Sequence, residues 1–140
     1  MKLADWGALG NAGEMLQGQL AELGAVEEAT HVTVNPDSGR LRILIATDLG
    51  LLDYSYVPGS SDEGGSWMLR GQLNRWTSVR GVRVQTDAQL DAGGTQTRWL
   101  WHLVADEPRI ELIADSDGQA DRAPAAVMPF ARACLQHVTV

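Results

Sequence analysis

Leu41-Arg42-Ile43-Leu44-Ile45-Ala46-Thr47-Asp48-Leu49-Gly50-Leu51-Leu52-Asp53-Tyr54-Ser55-Tyr56 is the stretch on which the fold turns. Leu41, Ile43 and Ile45 recur with a period of two, which puts them on one side of an extended chain with Arg40 and Arg42 on the other. Thr47-Asp48-Leu49-Gly50 is a tight reversal in which Gly50 suits a positive φ, and Leu52, Tyr54 and Tyr56 carry the same period back. Two alternating arms joined by so short a link form an antiparallel hairpin.

Working outward, the same period holds from His31 to the 115 region. Val32 and Val34 alternate with Thr33 ahead of the turn formers Asn35-Pro36-Asp37-Ser38-Gly39. Pro58 stops the return arm, and residues 58–66 have no apolar anchor, which reads as a mobile loop. Trp67, Leu69 and Leu73 open the next strand, with Gly71 marking a bend or bulge. Val82, Val84, Thr86, Ala88 and Leu90 oppose Arg83, Gln85, Asp87 and Gln89, the pattern of a strand with one face buried. Asp91-Ala92-Gly93-Gly94 turns the chain into a strand whose Trp99, Trp101 and Leu103 read as core, and Ile110, Leu112 and Ala114 supply a seventh. Seven strands on hairpin-length links make a meandering antiparallel sheet.

The flanks are helical. Leu9, Leu16, Leu20 and Leu23 predict a helix over about Asp5 to Ala29 with Gly24 as its C-terminal cap. Gly7, Gly10, Gly13 and Gly18 each weaken that helix by about 1 kcal/mol relative to alanine, so it needs a docking surface, on the same chain or on a second copy. Val127, Phe130, Ala131, Cys134, Leu135 and Val138 stripe a closing helix that Pro124 can start, while Pro129 either delays its regular part to near Ala126 or kinks it.

A chain of 140 residues suits a single domain, with a helical extension at 1–29, the β region at 30–116 and the last helix at 120–138. The content of 44% apolar and 21% charged residues is that of a globular protein and argues against a disordered or coiled-coil chain. No apolar run has membrane-spanning length, the first residues lack a signal-peptide pattern, and a single Cys134 excludes an internal disulfide, so the expected place is the cytoplasm. A net charge of -7 opposes long-range attraction to nucleic acid or anionic membrane.

A helix, seven antiparallel strands and a closing amphipathic helix resemble the bacterial pleckstrin-homology-like (PH-like) domains. Leu44-Ile45-Ala46-Thr47-Asp48-Leu49-Gly50-Leu51-Leu52 is similar to their strand-turn-strand signature, and Trp76-Thr77-Ser78-Val79-Arg80-Gly81-Val82 to the link into their fifth strand. The resemblance covers about residues 31–137. It implies an α+β fold: a seven-stranded antiparallel barrel capped at one end by the C-terminal helix, with the N-terminal helix as an addition. The basic residue common in that family's turn is Leu49 here, which removes the turn's own contact to an anionic ligand.

Phosphoinositide recognition, the best-known activity of such domains, needs several basic side chains converging on clustered phosphates, and the first two strands supply Arg40 and Arg42 beside Asp37. Trp67 and Trp76 flank the fourth strand at unlike parity, so one of them is a candidate contact residue, and Trp6 is a candidate anchor for the first helix. His31, His102 and His137 lie in separate elements without metal-ligand spacing, and Asp48, Asp53, Asp115 and Asp117 sit where turns need carboxylates. The glycine pairs at 64–65 and 93–94 do not open a helix after a strand, as a phosphate-binding loop requires. No catalytic residue, metal ligand or cofactor is assigned. The expectation is a non-catalytic binding or scaffold module that meets a protein partner or a second copy through the N-terminal helix or a sheet edge. The alternative is a small-molecule binder or enzyme whose helix and curved sheet enclose an apolar pocket.

Overall fold

The computed structural model describes residues 1–57 and 68–138. The hairpin read from residues 41–56 is present: β2 (Leu41–Thr47) pairs antiparallel with β3 (Gly50–Val57), with Ile43 opposite Tyr54 and Ile45 opposite Leu52. The reversal is held by the Thr47 hydroxyl, which accepts from the Leu49 and Gly50 amides and donates to the Gly50 carbonyl at 2.8 Å. Gly50 does not take a positive φ, because the Thr47 bonds close the turn without one.

Among the described residues the fold is α+β, with two α-helices and two antiparallel sheets. One sheet has the order β1-β2-β3-β4 and the other β5-β6-β7. The chain divides into two compact units, Met1–Asn74 and Arg75–Val140.

In the first unit, α1 (Asn11–Leu23) precedes β1 (Glu27–Val34), which pairs with β2 so that Val32 faces Ile43. The expected helix over Asp5 to Ala29 is shorter at both ends. Gly10 at φ +52 leaves helical space, so Leu3–Asp5 and Gly7–Leu9 are separate 3-10 turns, and Gly24 at φ +69 ends the helix in the left-handed cap expected of it. Ala12, Leu16 and Leu20 from α1, with Leu3 and Leu9, share one core cluster with Val32, Leu41, Ile43, Ile45, Leu52, Tyr54 and Tyr56. The helix therefore docks in cis through Ala12, Leu16 and Leu20, while Leu23, expected on the same stripe, is exposed in its last turn. Trp6 ties the preceding turns down: its Nε1 donates to the Thr30 carbonyl at 3.0 Å, and its ring meets His31 edge-on at 5.4 Å.

Gly71, expected at a bend or bulge, sits inside β4 (Met68–Arg75). Its missing side chain has a steric cause, since a Cβ there would collide with the Tyr54 ring and lie 2.6 Å from the Asp53 carbonyl oxygen. Gly18 is different, because nothing lies within 4 Å of a Cβ added there and its φ is not positive. Gly18→Ala is expected to stabilise the protein by about 0.5–1 kcal/mol, read as a higher urea midpoint at an unchanged slope.

The second unit holds β5 (Arg83–Leu90), β6 (Gln96–Ala105), β7 (Ile110–Asp115) and α2 (Pro124–His137). Pro124 occupies the first turn as expected, and α2 runs through Pro129. It packs on β7 and buries Ala126, Val127, Phe130, Ala131 and Cys134, while Leu135, expected on that stripe, is exposed. An α-helix is about 10–12 Å across and strands lie about 4.8 Å apart, so a helix seated on β7 covers roughly two strands. Leu103 and Ala105 of β6 are accordingly buried with Ile110, Leu112 and Ala114 of β7. β5 lies beyond that cover. Val84 is half-buried, whereas Thr86, Ala88 and Leu90 are exposed, Leu90 at 62%, so the face read from the sequence as buried is open.

Candidate functional site

The site is built from the open part of the second sheet. Register pairs Thr86 with Trp101 and Ala88 with Trp99, so small side chains on β5 stand beside two indoles on β6. That mismatch in volume leaves a cleft of about 430 Å³ lined by Thr86, Asp87, Ala88, Gln96, Trp99, Trp101 and Met128. The register shifts between Gln89 and Leu90, which sets Gln96 opposite Leu90. A shift of this kind re-aims side chains, and here it brings Gln96 onto the tryptophan face. The two indoles are 6.1 Å apart and tilted by 58°, and both are half-buried rather than in the core.

The electrostatics of this face are mild. Among the described residues Asp87 is the one ionisable group lining the cleft, 3.6 Å from His102 Nε2. At the other end of β6, Arg98 grips Asp115 with both guanidinium arms, and Asp115 also accepts from the Asp117 amide at 2.9 Å. The Arg98 side-chain bond, followed by that amide, holds the Asp115 carboxyl down at about 2, from an ordinary 3.8, and Asp115 in turn raises Arg98. A carboxylate with a depressed folded pKa stabilises the fold above its unfolded pKa and loses that contribution as pH falls through the folded value. Asp115→Asn is therefore expected to lower the denaturation midpoint at neutral pH. Its curve should meet that of the parent as pH drops from about 4 to about 2, which urea titrations across that range would measure.

The residues singled out in the sequence are dispersed. Arg40 is exposed in the turn before β2. Arg42 is engaged by Asp53 across the strands, at 3.1 and 2.9 Å, so a phosphate would have to break a bidentate ion pair to reach it. Trp67 and the loop expected at 58–66 lie outside the described residues. Trp76, in the 3-10 turn Trp76–Ser78, stacks on His137 at 4.6 Å with the planes 8° apart, so one face of its ring is covered. The Val26 amide donates to the Asp48 carboxylate at 2.7 Å, so this side chain ties the β2–β3 turn to the chain ahead of β1. Among the described residues no three His, Cys, Asp or Glu side chains converge as metal ligands would, and no helix is long and apolar enough to cross a membrane.

The residues missed by sequence reasoning are Trp99 and Trp101, taken there for core. The signal that marks them is the size of their neighbours. A strand whose inward positions read Thr86, Ala88 does not fill the space beside two tryptophans. No family model matches the chain, and no match was found among curated proteins or solved structures.

Proposed function

We propose that the chain is a non-catalytic binding module of the PH-like class that works by protein–protein contact on the β5–β6 face. The observation that carries the reading is the coincidence of the tryptophan cleft with β5, an eight-residue strand at the edge of its sheet. An edge strand presents unpaired backbone donors and acceptors, and an extended segment lying along β5 would satisfy them while setting alternate side chains over Thr86 and Ala88 against the indoles. Tryptophans that keep part of their surface in water are the residues that dominate such contacts. The order of a four-stranded sheet, a three-stranded sheet and a closing helix is the succession that the PH-like resemblance implies, here as two sheets of which the second keeps β5 as an edge. Among the described residues no basic side chain lines the cleft, which disfavours nucleic acid and anionic lipid as its occupant. One buried free cysteine suits the reducing cytoplasm.

Panning a displayed random-peptide library against the full chain tests this reading. The selected peptides are expected to lose about thirtyfold in affinity with Trp101→Ala and to bind Arg40→Ala unchanged. Peptides indifferent to Trp101→Ala would overturn it. The cleft volume also admits a small apolar ligand. That second reading gains if panning yields nothing while a fluorescent anilinonaphthalene binds the parent with one-to-one stoichiometry and leaves Trp101→Ala.

A further inference from the structure

We infer that the partner taken up by the β5 edge is a second copy of this chain, joined by antiparallel β5–β5 pairing about a two-fold axis at Thr86. The inference rests on the proposed binding face and names its occupant.

The charge of the edge strands singles out β5. The strands at sheet edges are β1, β4, β5 and β7. β1 carries Glu27 and Glu28, β4 carries Arg70 and Arg75, and β7 carries Glu111 and Asp115, so each would meet its own copy with like charge. β5 carries Arg83 and Asp87 and is neutral, within a chain of net charge -7. Pairing of β1 with β4 would be attractive, but a contact between unlike surfaces propagates unless its rotation closes, whereas β5 on β5 is closed by symmetry.

The register follows from two constraints. Residues opposite one another in an antiparallel pair point to the same side, so the cleft faces of both copies stay together only when even-numbered residues of β5 meet even-numbered ones. Pairing all eight residues breaks that rule. Two registers keep it while pairing seven residues of β5. One centres on Asp87 and sets two carboxylates directly opposite, which destabilises a sheet. The other centres on Thr86, which then faces the partner's Thr86. Val84 meets the partner's Ala88, Gln85 meets the partner's Asp87, and Arg83 stands diagonally from the partner's Asp87. Just past the strand, Leu90 gains the partner's Val82 as an apolar neighbour, and Val84 is carried to the small side chain that borders the cleft. α2 packs on β7, the far edge of this sheet, and reaches toward β5 through Met128, which lines the cleft, while the β5 residues Thr86, Ala88 and Leu90 stay exposed.

The test is sedimentation velocity on the full chain together with single-cysteine cross-linking. Across an antiparallel pair, Cα atoms directly opposite lie about 4.5–5.5 Å apart, inside the span of about 4.4–6.8 Å that a disulfide bridges. The parent is expected to sediment as a dimer. Thr86→Cys should oxidise to a covalent dimer, whereas Gln85→Cys, Asp87→Cys and the parent with its buried Cys134 should not. Thr86→Asp places two carboxylates on the axis and is expected to weaken dimerisation about fivefold or more, with unchanged far-ultraviolet circular dichroism. A monomeric parent whose Thr86→Cys form stays uncross-linked overturns the inference; the binding-face reading then survives if the panned peptides still depend on Trp101. A dimer indifferent to Thr86→Asp, or one cross-linked through Asp87→Cys, overturns it as well.

Discussion

A chain that begins at Ala25 is expected to lose the protected core of its first unit. Leu3, Leu9, Leu16 and Leu20 are buried against Ile43, Ile45, Leu52 and Tyr54, and removing them returns that whole sheet face to water. Each fully buried leucine stabilises by about 1.5–3 kcal/mol, so the four together reach the order of a domain's total stability, about 5–15 kcal/mol. Amide hydrogen exchange reads the result directly: β2 and β3 amides that are slow in the full chain should exchange at near-unfolded rates in the shortened one. The single substitution Leu16→Ala should cost about 3–4 kcal/mol in urea denaturation, since Leu16 is 1% exposed and leaves a cavity between helix and sheet. Persistent slow exchange in the shortened chain would mean that the helix covers this face without stabilising it.

The second large effect separates structural aromatics from those held at the surface. Phe130, 0% exposed on α2, fills the interior beside Val127, Ala131 and Cys134, and Phe130→Ala should cost about 3–5 kcal/mol. Trp101→Ala should cost less, about 2 kcal/mol, although tryptophan is the larger side chain, because part of its ring faces the cleft rather than packed atoms. Thermal or urea denaturation of both variants reads the contrast. Equal losses would place Trp101 in the core and remove it from the proposed contact surface.

The strands were legible because their signal is local. Period two survives in Leu41, Ile43 and Ile45 and in their return through Leu52, Tyr54 and Tyr56, and turn chemistry at Asn35, Thr47 and Asp91 punctuates it. The cap at Gly24 was legible for the same reason. Burial is not local. Val84, Thr86, Ala88 and Leu90 alternate as regularly as the residues of β2, yet they differ from them in what lies above. A pattern records which side chains share a face and is silent on whether that face is covered.

The candidate site escaped sequence reading on this account. Arg40 and Arg42 drew notice as cations two residues apart, but the Asp53 that occupies Arg42 is eleven residues further along and reaches it only through the hairpin register. Trp99 and Trp101 read as core because tryptophan on an apolar face usually is core. Their exposure depends on the width of one helix and on its seat over β7 rather than β5.

By itself, then, the amino-acid order determined the succession of helix, seven strands and helix, because hydrogen-bonding turns and side-chain alternation act over a few residues. Tertiary structure alone decided which faces are sealed. It set α1 on the first sheet in cis, tied Arg42 to Asp53, and left the β5 edge and its tryptophan cleft open. Coverage depends on the finite breadth of a helix laid on a sheet, a dimension that no single strand encodes.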